Sequence, residues 1–550
     1  MSKNLSELSG RKGLDQNLFE AIGIAAGENG TPSEADMERL AKEFLIGTAN
    51  VYGAASFYDF TRAANKGKKA YVCNGSACLT AGTQDKVHAE LAKHMDADAI
   101  GEMCCMGRCH ENAAFNVGGE NYSGLDLQNV ESIVKGEGKS AETYNQAVLG
   151  EPLLMAAFPG IDPYYATLKD ALKRSPEELL KEIEIANVRG RGGAGFPMAF
   201  KLNACRIEEN DTKFIVCNAD EGDPGAYSDR YLLEERPHSV LLGMLLSGYI
   251  TGANWGVLYI RAEYPRSVQV VQKAIDELHA AGYLGENILG TDFSYDFKII
   301  KAQGSYVCGE ETALLSSIEG QRPEVRVRPP YPAQKGLFNK PTIVNNVETL
   351  ACVPYIIANG GEAYAALGTE RSKGTKLVSL DSWVNNPGIY EVEMGTPLRT
   401  VIDELGGGLK PDVKALHIGG PLGGIVPVTK IDELSIDFES FQQGGFLLGH
   451  ASVVGIPKKF SMVKYAEHLF EFTAHESCGK CFPCRLGSKR GAELLEKAQT
   501  QSYKIDRELF GDLLDTLEQG SLCALGGGLP LPVRNALEYF PEEFNPIFNA

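Results

Sequence analysis

Residues 188–230, which open as VRGRGGAGFPMAFK and close as FIVCNADEGDPGAYSDR, leave the fold little latitude. Gly190, Gly192, Gly193, Gly195 and Gly225 bring bare backbone N–H groups together, as a loop must when it wraps phosphate or a flat ring. The apolar run Phe214–Cys217 reads as a buried strand, and Asn218, Asp220, Glu221 and Asp223 follow it at once. A strand that delivers polar groups at its carboxyl end opens a crevice. In α/β proteins such crevices bind cofactors.

The rest of the composition limits what that crevice serves. A chain of 550 residues has room for about three or four domains. Lysine and arginine number 53 against 72 acidic residues, a net charge of −19. Nucleic acids and anionic membranes need clustered cations, so neither is an expected partner. The 13 cysteines fall largely into C-x-x-C-type sets and the N-terminus MSKNLSELSGRKGLDQ has no apolar signal core. Both point to a reducing cytoplasm rather than a disulfide framework. Ser239–Ile260 is uncharged and long enough to cross a bilayer as one helix, but Gly243, Gly248, Gly252 and Gly256 divide it. It is read as a helix ending near Thr251 and a strand from Gly256, with no membrane insertion.

The first 60 residues or so have helical spacing, with a start signal at Thr31-Pro32-Ser33-Glu34. Cys73-x4-Cys78 follows a short strand at Ala70–Val72, and Cys105-x3-Cys109 follows the segment around Ile100. Four such thiolates suit a [2Fe–2S] rhomb. Zinc is the alternative, and Cys104 rivals Cys105 as ligand; we take Cys105. Near the C-terminus Cys478, Cys481 and Cys484 form a tight loop answered by the remote Cys523, an arrangement suited to [4Fe–4S], again with zinc as alternative. Cys205, Cys217, Cys308 and Cys352 stand singly in apolar surroundings and read as inert core thiols.

With these motifs in place a resemblance is visible. VYGAASFYDF (Val51–Phe60) and the first cysteine set resemble the thioredoxin-like [2Fe–2S] subunit of respiratory complex I. GRGGAGFP (Gly190–Pro197), NADE (Asn218–Glu221), YVCGEET (Tyr306–Thr312) and NNVE (Asn345–Glu348) resemble the NADH-oxidising flavin subunit of complex I and of soluble NAD-linked hydrogenases and formate dehydrogenases. EGDPG (Glu221–Gly225), AEYP (Ala262–Pro265) and LGENILG (Leu284–Gly290) resemble the electron-bifurcating hydrogenase branch.

The resemblance implies FMN on the loop Gly190, Arg191, Gly192, Gly193, Ala194 and Gly195 with Lys201, Asn218, Asp220, Tyr306, Gly309, Asn345 and Asn346, and it makes Glu221 and Asp223 cofactor-binding residues beside them. NAD(H) is implied stacked over the flavin, with Phe196 and Tyr331 as aromatic partners and Glu311 near its sugar hydroxyls. Glu310 and Arg328 are further cofactor-binding candidates, and Arg328, where the family commonly has lysine, pulls against the preference for NADH that Glu311 implies. Ala524 and Leu525 are implied beside the [4Fe–4S] ligand Cys523. Ala204, Asp223 and Tyr331 depart from the family pattern, and Ala204 leaves the adenine sandwich one ring short.

The expected architecture is α/β and multidomain. A helical lead with a thioredoxin-like [2Fe–2S] domain occupies 1–145, with residues 120–150 as its end and a linker. A Rossmann-like FMN and NAD domain occupies 146–370, a β-grasp, ubiquitin-like insert acting as spacer 371–455, and a helical [4Fe–4S] domain 456–550. The expected activity is hydride exchange between NADH and FMN, with single electrons passing through [4Fe–4S]. Expected partners are iron–sulfur and catalytic subunits of hydrogenase or formate dehydrogenase type, or ferredoxin. Two alternatives stand beside it: a peripheral subunit of a complex I-like respiratory enzyme, and a zinc-stabilised nucleotide-binding scaffold without redox role.

Overall fold

A computed structural model describes Leu14 and residues 17–549; most of the N-terminal stretch MSKNLSELSGRKGLDQ lies outside the described residues. Helices Leu18–Ala26, Glu34–Glu43 and Thr48–Ala55 form the lead. The expected start at Ser33 is a reciprocal cap: Asp36 N–H donates to Ser33 Oγ, and the Asp36 carboxylate accepts from Ser33 N–H. Leu18, Ile22, Leu40, Phe44 and Val51 fill the space between the three helices.

A small sheet follows, built of β1 (Ala70–Cys73), β2 (Ile100–Met103), β3 (Phe115–Val117) and β4 (Glu120–Tyr122), in the order β2-β1-β3-β4. β1 and β2 run parallel with Cys73 opposite Met103, so the loops leaving both carboxyl ends emerge side by side. Those two loops carry the first cysteine set. The next strand, β5 (Asn145–Leu149), lies in the expected linker, and it leaves this domain altogether.

The central sheet is wholly parallel, with β6 (Phe214–Ala219), β7 (Trp255–Ile260), β8 (Asp296–Lys301) and β9 (Thr342–Asn346) in the order β8-β7-β6-β9. Its register sets Cys217 beside Asn345 and Asn218 beside Asn346, so two polar strand ends face one crevice. The uncharged stretch divides as expected, into a helix Pro237–Thr251 and then β7. Val240, Leu241, Leu242, Leu245 and Leu246 of that helix are wholly buried, each contributing about 1.5–3 kcal/mol of transfer free energy. Gly243 permits its close crossing with helix Val347–Asn359, because a Cβ there would strike the Leu350 carbonyl.

The insert sheet contains β10 (Thr375–Leu380), β11 (Gly388–Glu393), β12 (Val413–Ile418), β13 (Gly424–Pro427) and β14 (Ser452–Pro457). Its order is β13-β12-β14-β10-β11-β5. β5 pairs in parallel with β11 from Asn145 to Leu149, covering what would otherwise be a bare edge. The expected linker is therefore part of the insert, a pairing that local sequence does not announce. The insert is fastened to the flavin domain by an ion pair between Lys376 and Glu348, both side chains wholly buried. Helices Met462–Glu476, Ser488–Thr500, Arg507–Gly520 and Pro530–Tyr539 complete the chain around Leu469, Phe470, Leu495, Phe510 and Val533. Among the described residues no helix is long and apolar enough to cross a membrane.

Candidate functional site

The glycine loop closes on itself. Arg189 and Pro197 form a bridge, Gly190 N–H donates to Phe196 O at 2.9 Å, and Met198 N–H donates to Val188 O at 3.0 Å. Helix Met198–Arg206 starts directly behind it. The loop lies against Asn346, where a Cβ on Gly192 would stand 3.0 Å from Asn346 Cβ. Asn346 Oδ1 accepts from Glu348 N–H and Thr349 N–H, and its Nδ2 donates to Asp229 Oδ2 at 2.6 Å. Across the crevice Asn218 Nδ2 donates to Gly309 O at 2.8 Å, and Tyr306 Oη donates to Asp223 Oδ1 at 2.8 Å. Asn345 Nδ2, Asp220 Oδ2 and Ser305 Oγ are buried without a protein partner. Orphaned polar atoms cost about 1–3 kcal/mol each, so the strand ends are unfinished without a polar ligand. A flat ring with a carbonyl and nitrogen edge fits them.

Several residues expected in the crevice turn elsewhere. The Arg191 guanidinium is wholly buried and donates to Tyr364 Oη at 2.8 Å and Lys373 O at 2.5 Å, so it braces the loop from behind. The Glu221 carboxylate accepts from Asp229 N–H, Arg230 N–H and Tyr264 Oη, behind the loop. Glu310 caps the helix Glu311–Ile318 by accepting from Thr312 N–H and Ala313 N–H. Lys201 Nζ lies 3.3 Å from Glu311 Oε2, and Arg328 pairs with both Glu310 and Glu311. Ala194, Phe196 and Tyr331 are exposed. Phe196 meets Phe200 edge-on, ring centroids 5.6 Å apart, so a ring from the previous helical turn stands near the gap expected at Ala204.

The structure brings Cys73, Cys78, Cys105 and Cys109 together. Cys105 Sγ and Cys109 Sγ are 3.4 Å apart, and Cys73 is in hydrogen-bond contact with both Cys105 and Cys78. Hydrogen bonds from Cys109 and Cys73 hold the Cys105 thiol well below its usual range, while its neighbours Cys73 and Cys109 are pushed up. Cys104 makes none of these sulfur contacts: it packs both against the cluster that holds Cys105 and against the one that holds Cys478, its Sγ 3.2 Å from where a Cβ on Gly75 would stand. Gly225 N–H, from the flavin domain, donates to Cys109 Sγ at 3.2 Å.

Cys478, Cys481, Cys484 and Cys523 gather in one cluster with Val307, Tyr306 and Leu525. Burial pushes the Cys484 thiol up to about 11 and that of Cys523 up to about 12. Leu525 N–H bonds the Cys523 sulfur, and Cys484 Sγ donates to Ser477 Oγ at 3.3 Å. A bound cation would deprotonate these two thiols, and thiols grouped in fours suit such a cation.

Comparison with known proteins covers these parts in order. Family models match residues 7–137 (thioredoxin-like [2Fe-2S] ferredoxin), 183–355 (Nuo51 FMN-binding domain), 382–426 (SLBB domain) and 464–546 (NADH-ubiquinone oxidoreductase-F iron-sulfur binding region). The mitochondrial NADH-ubiquinone oxidoreductase 51 kDa subunit of Aspergillus niger is 37% identical over 385 residues, 68% of this chain and 77% of that protein. The chain belongs to the NADH-ubiquinone oxidoreductase 51 kDa subunit family. Another similar protein is the NADP-reducing hydrogenase subunit HndC of Solidesulfovibrio fructosivorans, 42% identical over 384 residues, 69% of this chain and 78% of that one. A crystal structure of an NAD+-reducing [NiFe]-hydrogenase in the air-oxidised state superposes with a TM-score of 0.86 at 27% identity, covering all of this chain and 95% of the other.

Sequence reasoning missed two features of this NADH-ubiquinone oxidoreductase-type site. His450 of the insert is buried, with Nε2 3.3 Å from Asp229 Oδ2 and 3.7 Å from Glu221 Oε1. Burial opposes its charge, but Asp229 and then Glu221 outweigh it and push His450 up to about 9. Burial, with Asp229 beside it, pushes Glu221 up to about 7. The insert is therefore more than the spacer expected: it supplies the cation behind the acidic loop. The second is Arg261, buried directly after β7 and bonded to the carbonyls of Cys104, Cys105 and Glu221. No spacing rule links either residue to its partners.

Proposed function

We propose that this chain exchanges hydride between NAD(H) and FMN and passes single electrons through a [4Fe–4S] centre to or from partner subunits of a soluble hydrogenase or formate dehydrogenase. The observation that carries this reading is the crevice with its orphaned Asn345 and Asp220 atoms, adjoined by one four-thiol set through Gly225 and by another through Tyr306. FMN, when bound, takes up an electron pair with hydride and returns electrons singly. The chain's own part is binding and orientation. The loop Gly190–Gly195 offers backbone donors for the phosphate, with Lys201 beside it. Asn218, Asn345, Asp220 and Tyr306 frame the ring, with Tyr306 held by its bond to Asp223. Phe196, Phe200 and Tyr331 form the exposed apolar rim on which a nicotinamide dinucleotide would stack.

We assign Cys73, Cys78, Cys105 and Cys109 to [2Fe–2S], and Cys478, Cys481, Cys484 and Cys523 to [4Fe–4S]. Phe482 and Leu486, exposed beside the second set, make it the side from which a partner's cluster is reached. All 13 cysteines are free, which suits the reducing cytoplasm. Respiratory subunits are among the relatives as well as a hydrogenase subunit, and the hydrogenase reading is supported by the superposition on an NAD+-reducing [NiFe]-hydrogenase chain, which spans all of this chain and 95% of that one.

Anaerobic purification should give a brown protein with about six iron atoms per chain and bound flavin that NADH bleaches. A colourless protein with stoichiometric zinc would remove the redox reading. Co-purification with quinone-reducing membrane subunits would favour the respiratory alternative.

A further inference from the structure

Arg261 follows the last residue of β7 and is 2% exposed, so its charge is held in the interior. One guanidinium nitrogen donates to Cys105 O at 2.7 Å and to Glu221 O at 2.6 Å; the other donates to Cys104 O at 3.1 Å and to Glu263 Oε1 at 2.9 Å. Nε lies 4.0 Å from Asp220 Oδ1, and the group sits 5.2 Å over the Tyr264 ring. The same turn holds the first domain at two more points. Asn121 Nδ2 donates to Glu263 O at 2.5 Å, and a Cβ on Gly107 would stand 2.9 Å from the Tyr264 ring.

One fork thus spans the ligand loop of one domain and the acidic loop at the rim of the flavin crevice in another. The three carbonyls it binds share this one buried donor group, and a lysine has no planar fork to reach all three. A buried positive charge beside an iron–sulfur centre favours the form with one more electron, since burial weakens screening. Glu263, on the same guanidinium, acts with the opposite sign.

We propose that Arg261 is a positioning residue that sets the reduction potential of the [2Fe–2S] centre and ties its ligand loop to the flavin crevice, with Glu263 as the opposing charge. This rests on the [2Fe–2S] reading above. The test is a redox titration of the full chain, reconstituted anaerobically, following the EPR signals of both centres, with [4Fe–4S] as internal reference. Arg261→Gln should make [2Fe–2S] about tenfold harder to reduce, a fall of about 59 mV for a one-electron couple. Glu263→Gln should shift it upwards, and Arg261→Lys should fall between wild type and Arg261→Gln. The [4Fe–4S] potential should stay in place throughout. A merely structural arginine would not give shifts of opposite sign at the two positions.

Unmoved [2Fe–2S] potentials, or equal shifts in both centres, would overturn the proposal. Should Arg261→Gln assemble no [2Fe–2S] centre, Glu263→Gln decides alone, and an unchanged or lowered potential there overturns it. A wild-type protein with no [2Fe–2S] signal would instead overturn the functional reading on which the inference stands.

Discussion

Cys73, Cys78, Cys105 and Cys109 are each no more than 2% exposed, shut between two domains, whereas Cys481 and Cys523 are half-buried beside Phe482 at 73% and Leu522 at 46% exposure. The first set borrows its surroundings: Gly225 N–H and the Arg261 guanidinium both come from the flavin domain. The second set is made by loops of its own helical bundle and packs against the flavin domain through Tyr306, Val307, Ala313 and Val325. A sealed centre can be tuned by its neighbours but offers no route outwards. An open one can hand electrons to a partner at the cost of exposure to solvent and oxidants.

The largest expected effect separates the two sets directly. Cys481→Ser removes a proposed ligand of the open centre while leaving the proposed flavin-binding loop and the sealed set, which lie in other domains, with their own residues intact. NADH should still bleach the flavin, while electron transfer to acceptors should fall by at least the roughly 10–100-fold typical of lesions around a metal site. Cys105→Ser should leave export through the open centre largely intact. Rapid mixing with NADH, following flavin and cluster absorbance separately, tests both; undiminished export in Cys481→Ser would break the comparison.

The sealed side should also depend on pH. The folded-state pKa of His450 is about 9, above its ordinary 6.5. The folded state therefore holds the proton more tightly, and this stability is complete below about pH 6.5 and lost as pH rises through 9. Glu221, raised from 4.5 to about 7, acts in the same direction, losing its contribution as pH rises through 7. For His450 the amount is on the order of 3 kcal/mol. Urea unfolding at pH 6 and pH 9.5 should show a steeper loss in wild type than in His450→Gln. Parallel losses would mean the histidine is not the group that titrates.

A smaller effect is expected at Gly225, which has a φ of +101° and whose absent Cβ would sit 2.5 Å from Val454 Cγ2. Gly225→Ala should cost about 1–3 kcal/mol through backbone strain. It should lower the Tm and disturb the [2Fe–2S] signal through the lost bond to Cys109, leaving the [4Fe–4S] signal unchanged. Equal damage to both signals would show that the sealed set has no private dependence on the flavin loop.

Much of this was legible in sequence because its determinants are local. The strand at Phe214–Ala219, the cap at Ser33, the break after Thr251 and both thiol sets follow from spacing, capping and periodicity over a few residues. What was not legible depends on pairing across the chain. β5 sits beside β11, more than two hundred residues away, and nothing in NQAVL announces a parallel partner. His450 meets Asp229, Arg261 meets Cys105, and Arg191 swings behind its own loop, all through tertiary packing. Cys104 and Cys105 both have workable spacing to Cys109, and what tells them apart is that Cys105 alone makes sulfur contacts with Cys109 and Cys73.

The smallest expected effect lies at the mouth of the crevice between the two sets. Glu311 stands where a dinucleotide's adenosine ribose is expected, and its carboxylate would accept hydrogen bonds from the hydroxyls of NAD(H) while opposing the extra phosphate of NADP(H). Its charge is already shared, however, with Lys201 at 3.3 Å and Arg328 at 3.2 Å. All three side chains are about one fifth to one third exposed, so solvent screens the group and weakens any charge effect. Glu311→Gln should therefore release two cations towards a phosphate while narrowing the preference for NADH over NADPH only several-fold, on the scale of roughly 1 kcal/mol for a screened pair. Ratios of kcat/KM for the two dinucleotides in a dye-reduction assay measure it. An unchanged ratio would place the selecting contact elsewhere on the rim, and Arg328→Ala, which should lower NADPH use further, would show whether the cation rather than the acid sets the preference.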